Sequence, residues 1–153
     1  RRRPPEKTWG VSPQNGNPHR CTLIYLHGFC GSAREYLDSD CDEDFGLPWR
    51  LGRDYAPGLR VVLPSAPTLP QPWGEALSSW YGYKEFTGNA IGDPLTLTAT
   101  RERITRLLRA EVERLGGGGS VYLGGLSQGC TAALDVYLRE APRLGLGGFV
   151  GSV

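Results

Sequence analysis

The sequence contains no methionine, so it does not begin at a start codon. It stops at Gly151-Ser152-Val153, directly after an apolar run that is typical of a core strand. Domain boundaries normally fall in exposed linkers and seldom inside such a strand. A chain of 153 residues is one domain or less. We therefore expect a fragment of a longer protein, truncated on its C-terminal side.

Cysteine is scarce, and its spacing argues against a metal site. No CxxC pair is present, and no cysteine stands at zinc-ligand spacing from His19 or His27. The acidic cluster at residues 38–44 lacks the glycine and final glutamate of a calcium loop, so it predicts a loop. No secretory signal opens the chain. We therefore expect no metal, free thiols in a reducing cytosol and a cytoplasmic protein. The four thiols belong to Cys21, Cys30, Cys41 and Cys130.

Strong charge and long apolar runs are also missing. The net charge of +1 gives no field that would attract nucleic acid or anionic lipid. No run approaches the length of a membrane span. Glycine and proline are abundant, with 22 and 12 residues, but they follow no repeat. We expect no nucleic-acid partner and no stable membrane insertion.

What the sequence does contain is an alternation of strand and helix signals. Residues 1–19 are rich in Arg, Pro and Asn without an apolar period, and they predict a disordered lead-in. Residues 20–153 are predicted to belong to a single domain. Short apolar runs predict strands, and periodic apolar residues predict helices, one of them after Asp93-Pro94. This order implies a doubly wound α/β fold with a mostly parallel sheet covered on both faces. Such a core usually needs more than 153 residues. The predicted strands are 21–26, 59–63, 120–123 and 148–151, and the predicted helices are 94–115 and 128–139.

A long segment interrupts this pattern at residues 64–94. It is rich in proline, glycine and aromatic residues, and such long loops are usually either functional or disordered. Its aromatic side chains are able to wall an apolar ligand pocket. Ordinary packing is the alternative for each of them, and except for Trp80 it is the better one. These side chains are Trp73, Trp80, Tyr81, Tyr83 and Phe86.

Gly125-Leu126-Ser127-Gln128-Gly129 fits the pattern G-x-S-x-G. The pattern alone is weak, but here it follows an apolar strand and opens an amphipathic helix, as a nucleophile elbow requires. Small residues flank the serine because the turn is tight, and the turn lifts the hydroxyl of Ser127 to the end of the sheet. The alternative is an ordinary glycine-rich turn with an idle serine. We interpret Ser127 as a nucleophile.

The loop His27-Gly28-Phe29 follows the first predicted strand. Acyl transfer needs hydrogen-bond donors aimed at a developing oxyanion. In this architecture one donor is the N–H after the nucleophile, here that of Gln128, and the other comes from an earlier loop, here that of Phe29. His27 is a conceivable catalytic base. Its place before the nucleophile favours a structural role that shapes the loop.

Together these motifs resemble the phospholipase/carboxylesterase group of α/β-hydrolases, which includes the acyl-protein thioesterases. The resemblance covers residues from about 21 to 153. Two positions depart from that pattern and leave substrate preference open: Cys30-Gly31-Ser32 replaces Gly-Asp-Thr-like residues, and Cys130 replaces a small residue. The motifs that carry the resemblance are Leu26-His27-Gly28-Phe29, Pro64-Ser65-Ala66-Pro67, Ser79-Trp80-Tyr81 and Gly124-Gly125-Leu126-Ser127-Gln128-Gly129.

The resemblance implies a small cytosolic serine hydrolase that cleaves carboxylic esters or thioesters. Its substrates would be S-palmitoylated proteins, lysophospholipids or small activated esters, and it would need neither a metal nor an organic cofactor. The family motif places the nucleophile on Ser127 and the oxyanion donors on the N–H groups of Phe29 and Gln128. It places Trp80 near the substrate.

A serine nucleophile also needs a base and an acid that orients the base. The chain order in this fold is serine, acid, histidine, yet no histidine follows Ser127. Asp135 and Glu140 do follow, but they fall in the next helix and are poor candidates. We expect the remaining machinery beyond Val153 and a nearly inactive 153-residue chain, since losing triad members lowers turnover by a factor on the order of 10⁶. The alternatives are a binding module that has lost its triad and an inactive fragment.

Overall fold

The computed structural model describes residues 7–13, 16–37, 56–87 and 90–153. These residues form nine strands, two α-helices and one short 3₁₀ turn. In chain order the elements are β1 (Thr8–Val11), β2 (Cys21–Leu26), β3 (Leu59–Pro64), β4 (Thr68–Pro70), β5 (Ala76–Ser78), β6 (Gly82–Tyr83), β7 (Ile91–Asp93), α1 (Pro94–Leu115), the 3₁₀ turn (Gly118–Ser120), β8 (Val121–Leu126), α2 (Gln128–Leu144) and β9 (Gly148–Ser152).

Five strands form the central sheet, in the order β1-β3-β2-β8-β9. β3, β2, β8 and β9 are parallel, and β1 is antiparallel to β3 at the edge. This arrangement confirms the predicted α/β class with a mostly parallel sheet. The chain leaves β2 towards β3 and returns on the opposite side as β8. The carboxyl ends of β2 and β8 therefore border the crevice where ligands bind in open α/β sheets.

β2 explains why the central strands read as continuous apolar runs. Leu23 and Tyr25 face one side of the sheet, where Ala33 and Tyr36 pack against them. The alternate positions belong to the core cluster on the other side, which α1 and α2 cover. A strand buried on both faces has no polar side to alternate with. The members of the second cluster include Ile24, Leu26, Ile104, Leu108, Leu123 and Val136.

β1 lies inside the segment predicted to be a disordered lead-in, and that expectation does not hold for Thr8–Val11. Thr8 pairs with Pro64 and Val11 with Val61. Three of its four residues are exposed, so the strand has no apolar pattern of its own. Its ladder with β3 supplies the order that local composition does not indicate.

Both helices begin as predicted, but α2 ends later. The side chain of Asp93 caps α1 by accepting a hydrogen bond from the N–H of Leu95 at 2.9 Å, and Gly116 ends the helix at φ 73°. α2 was expected to stop near Arg139 because of Pro142, yet it continues to Leu144. The helix ends at Gly145, which adopts a φ of 63°, and Pro142 lies within its last turn, where it supplies no N–H.

The segment at 64–94 holds two small antiparallel pairs, β4 with β5 and β6 with β7. Sequence reasoning did not predict these strands, because each is only two or three residues long. The acidic cluster at 38–44, predicted to be a loop, and Cys41 lie outside the described residues. Neither described helix is long and apolar enough to cross a membrane.

One buried carboxylate ties α1 to the sheet. Glu111 is 5% exposed. It accepts a hydrogen bond from the hydroxyl of Thr22 at 3.0 Å and another from Nε of Arg60 at 3.2 Å. Thr22 and Arg60 are partners across β2 and β3. The contact therefore fixes the helix at the amino ends of these strands.

Candidate active site

Ser127 stands between β8 and α2 in a sharply turned backbone. Its φ of 51° and ψ of −120° lie outside the regions that residues with a Cβ normally occupy. Its side chain is exposed. The N–H of Ser127 donates to the carbonyl of Ser152 at 2.8 Å, and its carbonyl accepts from the N–H of Thr131 at 3.1 Å. The strain is thus held between β9 and the first turn of α2, and it presents the hydroxyl to solvent.

The two glycines of the motif are required by close backbone contacts. A Cβ on Gly125 would lie 2.5 Å from the carbonyl carbon of Gly129. A Cβ on Gly129 would lie 2.7 Å from the carbonyl carbon of Leu26 and would overlap the carbonyl oxygen of His27. Larger residues at either position would push α2 away from β2 and β8. The pattern G-x-S-x-G is therefore a packing requirement of this turn.

Gln128 is the first residue of α2. The first N–H groups of an α-helix have no acceptor inside the helix, and the helix dipole makes this end positive. The backbone N–H of Gln128 is therefore suited to an anionic oxygen that forms next to Ser127.

The loop after β2 lies beside Ser127. Leu26 pairs with Gly125 across the parallel strands β2 and β8, so both strands end at the same level. A Cβ placed on Gly28 would lie 3.7 Å from Cβ of Ser127. The structure thus brings together the two loops that the sequence singled out.

His27 is buried, with 1% of its surface exposed. Its Nε2 accepts the N–H of Ala66 at 2.9 Å, so Nδ1 carries the proton and donates to the carbonyl of Gly28 at 2.8 Å. Burial lowers the pKa of His27 below its ordinary value. A neutral imidazole with both nitrogens engaged favours a role in shaping the loop over a role as base.

Trp80 lies beneath this loop and has no exposed surface. Its indole Nε1–H donates to the carbonyl of His27 at 2.6 Å, and the two rings are 5.0 Å apart. Contact of Trp80 with a substrate stays a prediction. The contact found in the structure is the one with the backbone of the loop after β2.

The side chain of Gln128 forms a buried hydrogen-bond network that the sequence did not predict. It is 2% exposed. Oε1 accepts the backbone N–H of Trp80 at 2.9 Å, and Nε2 donates to the carbonyl of Tyr81 at 2.9 Å and to Oγ of Ser79 at 3.0 Å. A glutamine after the nucleophile reads as a helix-starting residue, so no local signal indicates this network.

Four of the aromatic residues predicted to wall an apolar ligand pocket form a connected group with Phe29. Phe29 contacts Trp73 and Tyr83 edge-on, at centroid distances of 6.2 and 5.1 Å. Phe86 packs on Trp73 and Tyr81 on Tyr83, at 5.4 and 5.5 Å. Tyr83 also borders a cleft of about 530 Å³, which is lined further by residues 69, 70, 72, 82, 84, 92, 93 and 96. A cluster of aromatic side chains therefore adjoins the loop that lies beside Ser127.

The two cysteines that depart from the family pattern flank the site. Cys30 is exposed, has a φ of 62° and donates its N–H to the carbonyl of Ser78 at 2.9 Å. Loss of water around part of this side chain, followed by the charge of Glu75, raises the pKa of its thiol. Cys130 is buried in the first turn of α2, where its Sγ would be 2.8 Å from a Cβ on Gly151. The described cysteines, Cys21 included, are free thiols.

Asp135 is engaged elsewhere. It accepts hydrogen bonds from Arg101 at 2.5 and 2.9 Å and one from Arg139 at 3.4 Å. Partial burial opposes its ionisation, but the hydrogen bonds and charge of Arg101 outweigh burial and lower its pKa. Glu140 lies near Arg143, at 3.9 Å. Asp135 thus links α2 to α1, and Glu140 lies beside Arg143 near the end of α2. In the part of the chain that the structure describes, no three His, Cys, Asp or Glu side chains converge on a metal site.

Comparisons with known proteins agree with the resemblance seen in the motifs. No family model matches the chain. Acyl-protein thioesterase 1 of Yarrowia lipolytica is 28% identical over 136 residues, which are 87% of this chain and 56% of that protein. Acyl-protein thioesterase 2 of Zea mays superposes with a TM-score of 0.61 at 20% identity, over 84% of this chain and 49% of that one. A phospholipase/carboxylesterase of Dyadobacter fermentans gives 0.54 at 18%, over 95% and 62%.

The structural matches show the α/β-hydrolase fold, and the sequence match links this chain to the acyl-protein thioesterases. The chain spans roughly half the length of these relatives.

Proposed function

Since this chain is an acyl-protein thioesterase-like α/β-hydrolase in sequence and fold, we propose that the complete protein is a serine hydrolase of carboxylic esters or thioesters. Oγ of Ser127 attacks the acyl carbonyl while a base takes its proton. The alcohol or thiol leaves with that proton, and water then releases the acid from the acyl-enzyme. The chemistry needs no metal and no organic cofactor.

The backbone of Ser127 is the observation that carries this proposal. A serine with a φ of 51° and a ψ of −120° is strained, and the fold holds it there with its side chain exposed. Strain of this kind persists where the surrounding structure enforces it, and it clusters at functional sites. An idle serine would be replaced by glycine at lower cost.

We assign the two oxyanion donors to the backbone N–H groups of Phe29 and Gln128. Two features support the assignment: Gly28 approaches Ser127 closely, and Gln128 opens α2. Removing one such donor typically lowers turnover by a factor on the order of 10² to 10³.

Neither histidine of this chain is suited to be the base. Both ring nitrogens of His27 are engaged. Nε2 of His19 lies 2.7 Å from the hydroxyl of Thr22, which pairs with Val121 at the amino end of β8. Val121 and Ser127 are six residues apart, which is about 20 Å of strand. We propose that the base and its acid come from parts of the complete protein outside these 153 residues, and that this chain alone is nearly inactive.

The acyl group is proposed to bind against the aromatic group of Phe29 and Tyr83, because ligand sites are mostly apolar with few polar groups. The substrate class is then an acyl ester or thioester, with S-palmitoylated proteins and lysophospholipids as candidates. A cytoplasmic location fits the free thiols of the described residues. We further propose that residues 20–153 form part of a single hydrolase domain, to whose sheet β1 adds an edge strand.

Labelling with a fluorophosphonate probe tests the proposal, because such probes react with activated serines. We expect the complete wild-type protein to be labelled and to hydrolyse short p-nitrophenyl esters and a palmitoyl thioester. Ser127→Ala should abolish labelling and turnover. Ser120→Ala is the matched control, because Ser120 ends the 3₁₀ turn before β8, and it should behave like the wild type.

Labelling that survives Ser127→Ala would refute the assignment of the nucleophile. A complete protein that is neither labelled nor active would favour the alternative, a hydrolase fold that only binds a ligand. The 153-residue chain, assayed alone, should show about 10⁶-fold lower turnover than the complete protein.

A further inference from the structure

Trp80 is hydrogen-bonded to both halves of the site at once. Its indole N–H donates to the carbonyl of His27, which precedes Gly28 and Phe29. Its backbone N–H donates to Oε1 of Gln128, the residue after Ser127. One buried residue therefore connects the loop after β2 with the start of α2.

These two hydrogen bonds leave Trp80 little freedom to move. An indole N–H is a donor only, and a buried donor without an acceptor is unfavourable, so Trp80 must stay on the carbonyl of His27. The distances of 2.6 and 2.9 Å are those of well-formed hydrogen bonds. The full burial of Trp80 means that water cannot replace either partner.

The orientation of the amide of Gln128 is fixed as well. Its Nε2 donates to the carbonyl of Tyr81 at 2.9 Å, so Oε1 must face the N–H of Trp80. The hydroxyl of Thr100 on α1 donates to the carbonyl of Trp80 at 2.5 Å. The residue that bridges the two loops is thus anchored to both helices.

We propose that Trp80 is a positioning residue that sets the separation between the backbone N–H groups of Phe29 and Gln128. The inference rests on the function proposed above, in which these two groups hold the oxyanion. The proposed action runs through the backbone of His27 and the side chain of Gln128, and it is separate from the predicted contact with substrate. Trp80 touches no reacting atom in this arrangement.

The consequence for catalysis is a selective loss in the chemical step. Misplacing a group by 1 Å can lower turnover by about 10²-fold. The oxyanion exists in the transition state and not in the bound substrate. Weaker stabilisation of the oxyanion therefore lowers kcat and leaves KM nearly unchanged. A merely structural tryptophan would change stability without this split.

The test is Trp80→Phe in the complete protein, which keeps an aromatic ring in the core and removes the indole N–H. We expect kcat for an ester to fall by about 10- to 100-fold with KM within about 3-fold. Affinity for an alkyl trifluoromethyl ketone, which forms a tetrahedral adduct with a reactive serine, should fall by the same factor. Affinity for an unreactive alkyl amide of equal length should not change.

Two control variants separate this effect from lost stability. Ile104→Val removes one methylene from the core and should lower stability without changing kcat. Trp9→Phe alters a tryptophan of the edge strand β1 and should leave all readouts unchanged. If Trp80→Phe does not fold, Gln128→Met takes its place, because it removes the acceptor for the N–H of Trp80 and keeps the backbone N–H of residue 128.

Crystal structures of the wild type and of the variant measure the separation of the amide nitrogens of Phe29 and Gln128. An unchanged separation overturns the inference, and so does an unchanged kcat and ketone affinity. Ser127-dependent labelling and turnover of the wild type would then still uphold the proposed function. A wild type without labelling and turnover would instead overturn the proposed function, and with it the role of Trp80.

Discussion

The backbone of Gly129 packs directly against the main-chain carbonyl of His27. A side-chain carbon on Gly129 would overlap that oxygen and would lie 2.7 Å from the carbonyl carbon of Leu26. The first turn of α2 thus rests on the end of β2, and this backbone contact limits how closely the nucleophile and the neighbouring loop can approach each other.

Gly129→Ala should therefore destabilise the protein strongly. Backbone atoms cannot rotate away as a side chain does, so the added methyl must displace α2, which we expect to lower the free energy of unfolding by about 3 kcal/mol. Urea denaturation measures the loss. Gly119→Ala is the control, because nothing lies within 4 Å of its Cβ, and it should change stability by less than about 0.5 kcal/mol. Equal midpoints for the two variants would contradict the packing described here.

The backbone of Ser127 predicts an unusual ranking of substitutions. Ser127→Gly should be more stable than Ser127→Ala by about 1 kcal/mol, because glycine adopts a φ of 51° and a ψ of −120° without strain. Both variants lack the nucleophile, so the comparison isolates the backbone. Thermal unfolding monitored by circular dichroism measures it. A glycine variant less stable than the alanine variant would mean that the elbow is not strained.

His27 predicts a loss of stability in mild acid. Its pKa in the folded protein is lowered, so below its ordinary value near 6.5 the unfolded chain takes up a proton that the folded chain refuses. The free energy of unfolding should then fall with decreasing pH, by up to about 1.4 kcal/mol per pH unit. The pKa of His19 is lowered as well, so the contribution of His27 is measured in the variant His19→Gln. Urea denaturation at a series of pH values gives the free energy of unfolding.

The protonation of His27 can be read directly by ¹⁵N NMR of its ring. We expect a neutral imidazole with the proton on Nδ1 at pH 7 and a titration midpoint below 6.5. A midpoint above 6.5, or a proton on Nε2, would contradict the hydrogen bonds to Ala66 and Gly28.

Glu111 predicts a large stability effect far from Ser127. Glu111→Ala removes the acceptor for Thr22 and leaves Arg60, with 20% of its side chain exposed, without its partner. We expect a loss of about 3 kcal/mol in the free energy of unfolding. Glu113→Ala, on the exposed face of the same helix, should cost less than about 0.5 kcal/mol. A loss in turnover at full occupancy of the folded state would place Glu111 in the active site instead.

Sequence reasoning found what depends on neighbours along the chain. The elbow at Ser127 and the loop at His27 each carry their signal within five residues, and the cap at Asp93 carries its signal within two. Parallel pairing of β2 and β8 then forces the two loops together.

The contacts that sequence reasoning missed join residues that lie far apart in the chain. Trp80 finds its acceptor 53 positions earlier, at His27, and another 48 positions later, at Gln128. The role of Glu111 on the apolar face of α1 could not be predicted for the same reason, because its partner Thr22 is 89 positions away. The sequence of β1 alone does not indicate a strand, because the order of β1 comes from its pairing with β3.

The pairing of Thr22 with Val121 has a kinetic consequence as well. About a hundred residues must be enclosed before β2 and β8 meet, and contacts of such separation slow folding. We therefore expect the contact between the two loops to form late in folding. Reactivity at Ser127 should appear in the last, slowest phase of refolding, after the signal from α1 and α2 is complete.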